Sequence, residues 1–476
     1  MALEILEVTD KYTGAVVERL PLDTREDLRE KIERAYLAKE SIRQTSLAWR
    51  KDLVRRVGER IAQEREYFAE LLIKQAGQPR KFAQWEVERT VSLARHFDQI
   101  LDLIAPREIP AAQGKNILMR EPYGVVAVIT PRNTPLVVPF YTAFSALGAG
   151  NAVIQKPSAL TPGPTRRLVE LVREEGCPPD AVQFSTCPGE KAAAEFVENP
   201  LVDVFITYSN SSVGKDAVVK MGRYLAGTRH VESGLPVIAG KMTKFVPELA
   251  GNDPFIVLEG ADLEKAVEAA VLGGYGNAGQ LCISAKRFIV AREVAGDFRS
   301  RLVEAIGRLK VGDPADPETD IGPLARREAL ELALKGLRAA EEEGGKVLVG
   351  GRVEGPFFYP TLVEFPKEVL LHGNSRPLLW REESFAPVRS LVVFDTPEEA
   401  VRLANDTSYG LGAAVFGPTE AALEIARQLR AGRIIINESP LYGDVHLPVG
   451  GVGDSGLYGA THKIEEVTYV KRIHLS

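Results

Sequence analysis

The chain has 476 residues, 45% hydrophobic and 26% charged, and single cores stop growing at roughly 250 to 300 residues, so two or more domains are expected. Lys and Arg number 59 against 65 Asp and Glu, a net charge of -6 with no basic block, which argues against nucleic acid and for a small-molecule partner. The opening MALEILEVTDKYTG lacks an apolar signal core, no later run nears the roughly 18 apolar residues of a membrane span, and Cys177, Cys187 and Cys282 show no CxxC spacing, so a soluble, cytoplasmic protein without disulfides or membrane contact is expected. The histidines form no HxxxH-like pair, and no metal site is expected.

Residues 24 to about 104 read as helices: Leu53, Val57 and Ile61 recur at i, i+4 and i+8, and Gly77 offers a C-terminal stop. From about residue 124 the pattern changes to short β-branched runs, GVVAVIT, AVIQKP, VQFST and VFITYS, separated by helical stretches such as PTRRLVELVREEG. That alternation predicts a doubly wound parallel sheet, which binds nucleotides at the carboxyl ends of its strands. The single GxG, in SALGAGNA, follows a helical stretch and lacks the third glycine of the usual dinucleotide fingerprint, so it reads as a helix stop and turn. A second alternation, DPFIVLEG, SAKRFIVAREVAGDFRSRLVEAI, SLVVFDTPEEAVRLAND and GRIIINES, predicts a second α/β domain, and AAEEEGG reads as a solvated helix end.

Most free cysteines are small buried hydrophobes, and Cys177 and Cys187 read that way. Cys282, in NAGQLCISAKR, differs: Lys286 and Arg287 follow it, and a cationic setting lowers a thiol pKa from about 8.5 toward the reactive thiolate. Local features leave nucleophile and buried thiol equally open.

FVPELAGNDPFIVLEGADLEKAV followed by GYGNAGQLC resembles the paired active-site signatures of the aldehyde dehydrogenase superfamily. EPYGVVAVITPRNTPL, GNAVIQKPSALTP, VGDPADPETDIGPL, REESFAPV, YGLGAAVF, AGRIIIN, LPVGGVGDSGLYG and EVTYVKRI match in family order over nearly the whole chain. The resemblance implies that Cys282 attacks the aldehyde carbon, that Asn133 with the Cys282 N–H holds the oxyanion, and that hydride passes to nicotinamide to leave a thioester. Glu248 then acts as general base for the water that releases the acid. Taken alone, Glu248 reads as a strand-end carboxylate in an ion pair and Asn133 as a turn residue before Pro135.

Carried over by position, Thr130, Lys156, Ser158, Ala159, Ser209, Val213, Glu383 and Phe385 fall among cofactor-binding residues for NAD and/or NADP. Ala159 stands where many NAD-specific relatives carry a ribose-binding glutamate, which implies acceptance of NADP. Leu281, Ile283, Tyr141, Tyr442 and His446 fall along the expected substrate tunnel and favour an uncharged aldehyde, whereas Arg132, which with Thr134 replaces aromatic residues beside the asparagine, could face a carboxylate. GRYLAGTRHVESGLPVIAGKMTK is longer than usual and reads as an inserted loop.

The implied fold is α/β and aldehyde dehydrogenase-like: N-terminal helices with a Rossmann-type cofactor domain (1–107 and 124–250), an α/β catalytic domain (251–455), and a small β oligomerisation element (108–123 and 456–476). The implied activity is NAD(P)-dependent oxidation of an aldehyde to a carboxylic acid by a homodimer or homotetramer. The rivals are a coenzyme A-acylating relative, which usually lacks the base glutamate, and a catalytically silent binding protein of the same fold.

Overall fold

The computed structural model describes the chain except residues 1–3, 227, 231–235, 239–240 and 373–375. Five short apolar strands, Val125–Ile129, Ala152–Lys156, Val182–Phe184, Val204–Tyr208 and Lys244–Glu248, form an all-parallel sheet. Their near-continuous Val, Ile and Phe content suits a sheet covered on both faces, and the helices Val137–Ala149, Pro162–Glu174, Gly189–Glu198 and Ser211–Ala226 alternate with them. In space the order is 244–248, 204–208, 125–129, 152–156, 182–184. The chain therefore moves from the central strand to one edge and returns to the other side, which leaves a topological switch point between strands 125–129 and 204–208.

The second sheet has seven strands, in the order Lys346–Val349, Thr361–Glu364, Val388–Phe394, Ala285–Ala291, Asp253–Val257, Gly412–Phe416 and Arg433–Ile436. All neighbours run parallel except the 346–349 edge strand. Between them the two sheets account for every strand expected from the β-branched runs. The 244–248, 346–349, 361–364 and 412–416 strands lie outside those runs.

Helices Arg25–Arg43, Leu47–Gln63 and Arg80–Asp102 occupy the N-terminal region. The first begins in a reciprocal Thr24–Asp27 capping box, and Leu53, Val57 and Ile61 are buried as their spacing requires. Gly77 takes a left-handed φ of 71° and ends its helical segment. Gly150 does the same at 96° after helix 137–149, so the GxG is a helix stop. An antiparallel hairpin, Ile5–Thr9 with Val16–Pro21, precedes the helices and was not expected.

The segment expected as an inserted loop is in part regular. Helix 211–226 runs on into it, Thr228–His230 pairs antiparallel with Pro236–Ile238, and Lys244 begins the next strand of the first sheet; residues 227, 231–235 and 239–240 of that expectation fall outside the described residues. A three-stranded antiparallel sheet joins Arg107–Ile109, Lys115–Pro122 and Thr468–Leu475. Among the described residues no helix is long and apolar enough to cross a membrane.

Candidate active site

The parallel register of the first sheet lines up several of the singled-out residues. Ile129 lies beside Lys156 and Thr207, and Tyr208 beside Glu248. Thr130, Lys156, Ser209 and Glu248 therefore share the carboxyl edge around the switch point. The Thr130 N–H donates to the Lys156 carbonyl at 3.0 Å and the Ser209 N–H to the Glu248 carbonyl at 3.1 Å. Ser158 Oγ accepts the Leu160 N–H at 3.3 Å, Ala159 is exposed, and Val213 lies exposed in the first turn of helix 211–226.

This edge fits a dinucleotide. Thr130 Oγ1 is buried without a partner, and Lys156 is buried, with that burial, Cys187 and Arg326, and no carboxylate among the described residues, as the influences on its charge. Burial pushes the Lys156 ammonium down to about 8. Both groups are short of an acceptor, which a ribose hydroxyl or phosphate would supply.

The nucleophile follows a strained turn. Asn277, Ala278 and Gly279 all take left-handed φ, 51°, 54° and 70°. The first two cost roughly 1 to 2 kcal/mol each, strain of the kind stored at functional sites. Only glycine fits at 279, where a Cβ would come within 2.2 Å of the Arg389 guanidinium and 2.6 Å of the Ala386 carbonyl. Arg389, fully buried, ties the turn down through the carbonyls of Gly274 (2.6 Å) and Gly279 (3.1 Å) and Ser284 Oγ (2.9 Å).

The cationic neighbours do not ionise Cys282 as their sequence proximity suggested. Lys286 donates to the Leu281 carbonyl at 2.8 Å and to the Cys282 carbonyl, and pairs with Glu383 at 3.3 Å. Arg287 turns away to the carbonyls of Asn252, Leu403 and Ala404. Burial pushes the Cys282 thiol up to about 11; Lys286 pulls it down, and Glu383, Asp253 and Glu248 push it further up. The expected lowering is corrected: the resting group is a protonated, half-buried thiol within the field of Glu248.

Asn133 is held by its backbone, its carbonyl accepting from Gln78 Nε2 and Asn277 Nδ2, both at 3.0 Å. Gln78 also donates to Glu86 at 2.6 Å, and Glu86 accepts the Leu136 and Val137 N–H groups at the start of helix 137–149, at 2.9 and 3.1 Å. Burial pushes the Glu86 carboxyl up to about 7 against those three donors. Nothing in the sequence singled out Gln78 or Glu86.

Glu383 accepts the Gly251 N–H at 3.1 Å, and a Cβ on Gly251 would stand 2.6 Å from the Cys282 carbonyl. The nucleophile's loop, Lys286 and Glu383 are thus one connected unit. Arg132 stacks over Phe385 at 5.0 Å, within the fields of Glu383 and Arg326, and its Nε has no partner. That places it beside the residues matched to the nicotinamide end rather than with the tunnel residues.

Glu248 ends its strand with its carboxyl against Lys463 Nζ, and Lys463 also contacts Glu466 at 2.6 Å. The tunnel residues divide. Leu281 and Ile283 pack with Phe82 and Leu441, Tyr141 packs on Phe97 and its hydroxyl accepts the Lys463 N–H at 3.3 Å, while Tyr442 and His446 lie exposed on the 440–447 segment of this single chain. Phe82 and Leu441 went unread because each looks like ordinary core.

The aldehyde dehydrogenase family model matches residues 2–473. The chain is 31% identical to lactaldehyde dehydrogenase from Methanocaldococcus jannaschii, over 99% of this chain and 98% of that one. It is also 31% identical to 3-sulfolactaldehyde dehydrogenase from Priestia aryabhattai, over 99% and 95%. Glyceraldehyde-3-phosphate dehydrogenase GapN from Methanocaldococcus jannaschii, solved in complex with NADP, superimposes with a TM-score of 0.89 at 31% identity over 100% of both chains. The chain belongs to the aldehyde dehydrogenase family, whose members are NAD(P)-dependent oxidoreductases.

Proposed function

We propose that this aldehyde dehydrogenase oxidises a small aldehyde to its carboxylic acid through a thiohemiacetal and a thioester on Cys282, with NAD or NADP as oxidant. The observation that carries the reading is the convergence of three strand-end and loop groups. The Cys282 turn lies within the field of Glu248, and the Cys282 carbonyl is tied through Lys286 to Glu383, whose neighbour Phe385 is stacked by Arg132.

The thiol proton must leave before attack, because a group near 11 is almost wholly protonated at neutral pH. That proton passes to solvent through water, and Glu248 is kept for the later step. The Cys282 sulfur then bonds to the aldehyde carbon, and the carbonyl electron pair moves to oxygen. Asn133 and the Cys282 N–H stabilise that oxyanion, and loss of one such donor costs about 10² to 10³ in rate. Thr130, Lys156, Ser158, Ser209, Glu383 and Phe385 would hold a nicotinamide dinucleotide, which when bound would supply the hydride acceptor needed to convert the adduct to a thioester. Glu248 next takes a proton from water, the water oxygen bonds to the acyl carbon, and the C–S bond breaks to return the thiolate and release the acid.

The named relatives take lactaldehyde, 3-sulfolactaldehyde and glyceraldehyde 3-phosphate, all small 2-hydroxyaldehydes. Small 2-hydroxyaldehydes are therefore the substrate class proposed for this chain. The apolar wall of Phe82, Leu281, Ile283 and Leu441 suits the carbon chain, and Arg89, which rests on Gly443, and Arg433 bring positive charge to the same region. We assign assembly as a homodimer or homotetramer to the 468–475 strand, an edge that leaves Val470 and Leu475 exposed.

The test is NADH or NADPH release from Glu248→Gln over a panel of 2-hydroxyaldehydes, with and without a charged terminus. A burst of about one reduced cofactor per site followed by slow turnover is expected. Undiminished steady-state turnover would remove Glu248 from the chemistry, and acceleration by coenzyme A in the parent enzyme would favour the acylating rival.

A further inference from the structure

Behind the candidate base lies a buried row of alternating charge that the sequence did not single out. The side chains of Glu248, Lys463 and Glu466 are 10%, 2% and 5% exposed. Lys463 Nζ touches Glu248 Oε1 on one side and Glu466 Oε2 on the other. Thr461 Oγ1 donates to Glu466 Oε1, and the Lys463 backbone N–H is anchored on the Tyr141 hydroxyl. Lys463 and Glu466 form the ends of a single helical turn that leads directly into strand 468–475. A buried lysine between two carboxylates is costly unless both contacts are kept, so the row has one well-defined arrangement.

We propose that Lys463 is the positioning residue for the base, holding the Glu248 carboxylate ionised and in place, with Glu466 setting how strongly Lys463 is shared. This rests on the reading of Glu248 as the base of deacylation.

The groups facing Glu248 are Lys463 and Glu466 from the turn, Tyr208 at the end of its neighbouring strand, Tyr141 on helix 137–149, and Cys282. Burial raises both tyrosines, which stay neutral through the working range, so Lys463 is the cation of the set. Burial pushes the Glu248 carboxyl up, Lys463 draws it down, and Glu466 pushes it up. Burial would lower Lys463, but the carboxylates of Glu248 and Glu466 outweigh it and keep the ammonium charged.

The signs follow for the acid limb of kcat, where activity is lost as Glu248 takes up a proton. Lys463→Met moves that limb to higher pH, and Glu466→Gln, which removes a competing anion, moves it to lower pH. Lys463→Arg keeps it near the parent. A packing role alone gives no such pair of opposite shifts.

The experiment is kcat against pH for the intact enzyme with an accepted aldehyde, together with the pre-steady-state burst of reduced cofactor. Lys463→Met is expected to keep the burst and lose about tenfold in kcat on the acid side, since one pKa unit changes the ionised fraction tenfold there. If that variant does not fold, the downward shift in Glu466→Gln and the parental limb in Lys463→Arg carry the test. An unmoved limb in Glu466→Gln, or shifts of the same sign in Glu466→Gln and Lys463→Met, overturns the proposal. Full turnover in Glu248→Gln would instead remove the base itself, a separately visible failure.

Discussion

Glu86 offers a quantitative test of how the oxyanion loop is held. Its carboxyl accepts from Gln78, Leu136 and Val137, so Glu86→Ala leaves one of the two Gln78 amide N–H bonds and the Leu136 and Val137 N–H groups without an acceptor, each costing about 1 to 3 kcal/mol where it is buried. Against this stands the cost of burying the charge. The carboxyl is pushed by burial from 4.5 to about 7, and at 1.36 kcal/mol per unit that is about 3 kcal/mol. Because the folded value lies above the unfolded one, Glu86 contributes its full stability below about 4.5 and loses part of it as pH rises through 7. The alanine variant lacks that titration. Its destabilisation, read as the shift in urea midpoint multiplied by m, should therefore be larger at pH 5 than at pH 8 by about 2 to 3 kcal/mol. The burst rate should fall as well, since Gln78 loses the partner that steadies its bond to the Asn133 carbonyl. Equal destabilisation at both pH values would show that Glu86 is ionised in the fold, and the charge accounting would be wrong.

Cys282→Ala should abolish oxidation and leave NADPH binding, followed by fluorescence, within about twofold of the parent. More than a few per cent residual activity would point to another nucleophile. Gly279→Ala must place a methyl group in the Arg389 guanidinium and adopt a φ of 70°. It should cost about 2 to 4 kcal/mol and most of the burst, and a parental thermal midpoint would mean the turn relaxes freely. Ala159→Glu should shift kcat/KM toward NAD over NADP by about tenfold, since roughly 1.4 kcal/mol of lost phosphate binding suffices; an unchanged ratio would place ribose reading elsewhere.

Periodicity made the parallel strands legible because central strands of doubly covered sheets are unbroken apolar runs, as in VVAVI and FIV of 253–257. The 5–9 and 16–21 hairpin escaped because its strands are mostly exposed and carry Glu7, Glu18 and Arg19 within them. Strand 346–349 escaped for a similar reason, being a short, half-buried edge. At the site, the order of motifs pointed to Cys282, Glu248 and Asn133, but the charges around them could not be read along the chain. Lys286 and Arg287 closely follow Cys282 in sequence, yet strand 285–291 directs both toward backbone carbonyls. Lys463 is 215 residues from Glu248, and only the return of the C-terminal segment past the sheet edge brings the two together.

The same geometry sets the state of the nucleophile, and Glu383 is where it can be probed. Lys286 is shared between the Leu281 and Cys282 carbonyls and Glu383, so its charge favours the thiolate only to the extent that Glu383 does not cancel it. Glu383→Gln keeps an oxygen for the Gly251 N–H but removes the anion. Both consequences have one sign: a carboxylate that pushes the thiol up is gone, and Lys286 is left facing the nucleophile's loop uncompensated. The Cys282 thiol, at about 11 in the parent, should titrate at lower pH in the variant. The assay is the rate of iodoacetamide alkylation against pH without cofactor, with Cys282→Ala as the blank for the buried Cys177 and Cys187. Each unit of downward shift raises the thiolate fraction about tenfold at a fixed pH below the titration, although intrinsic reactivity falls somewhat with pKa. Lys286→Met should move the profile the other way. A Glu383→Gln profile that coincides with the parent would show that burial alone governs the thiol and that Lys286 and Glu383 serve only to hold the loop, and one displaced to higher pH would overturn the sign argued for Glu383.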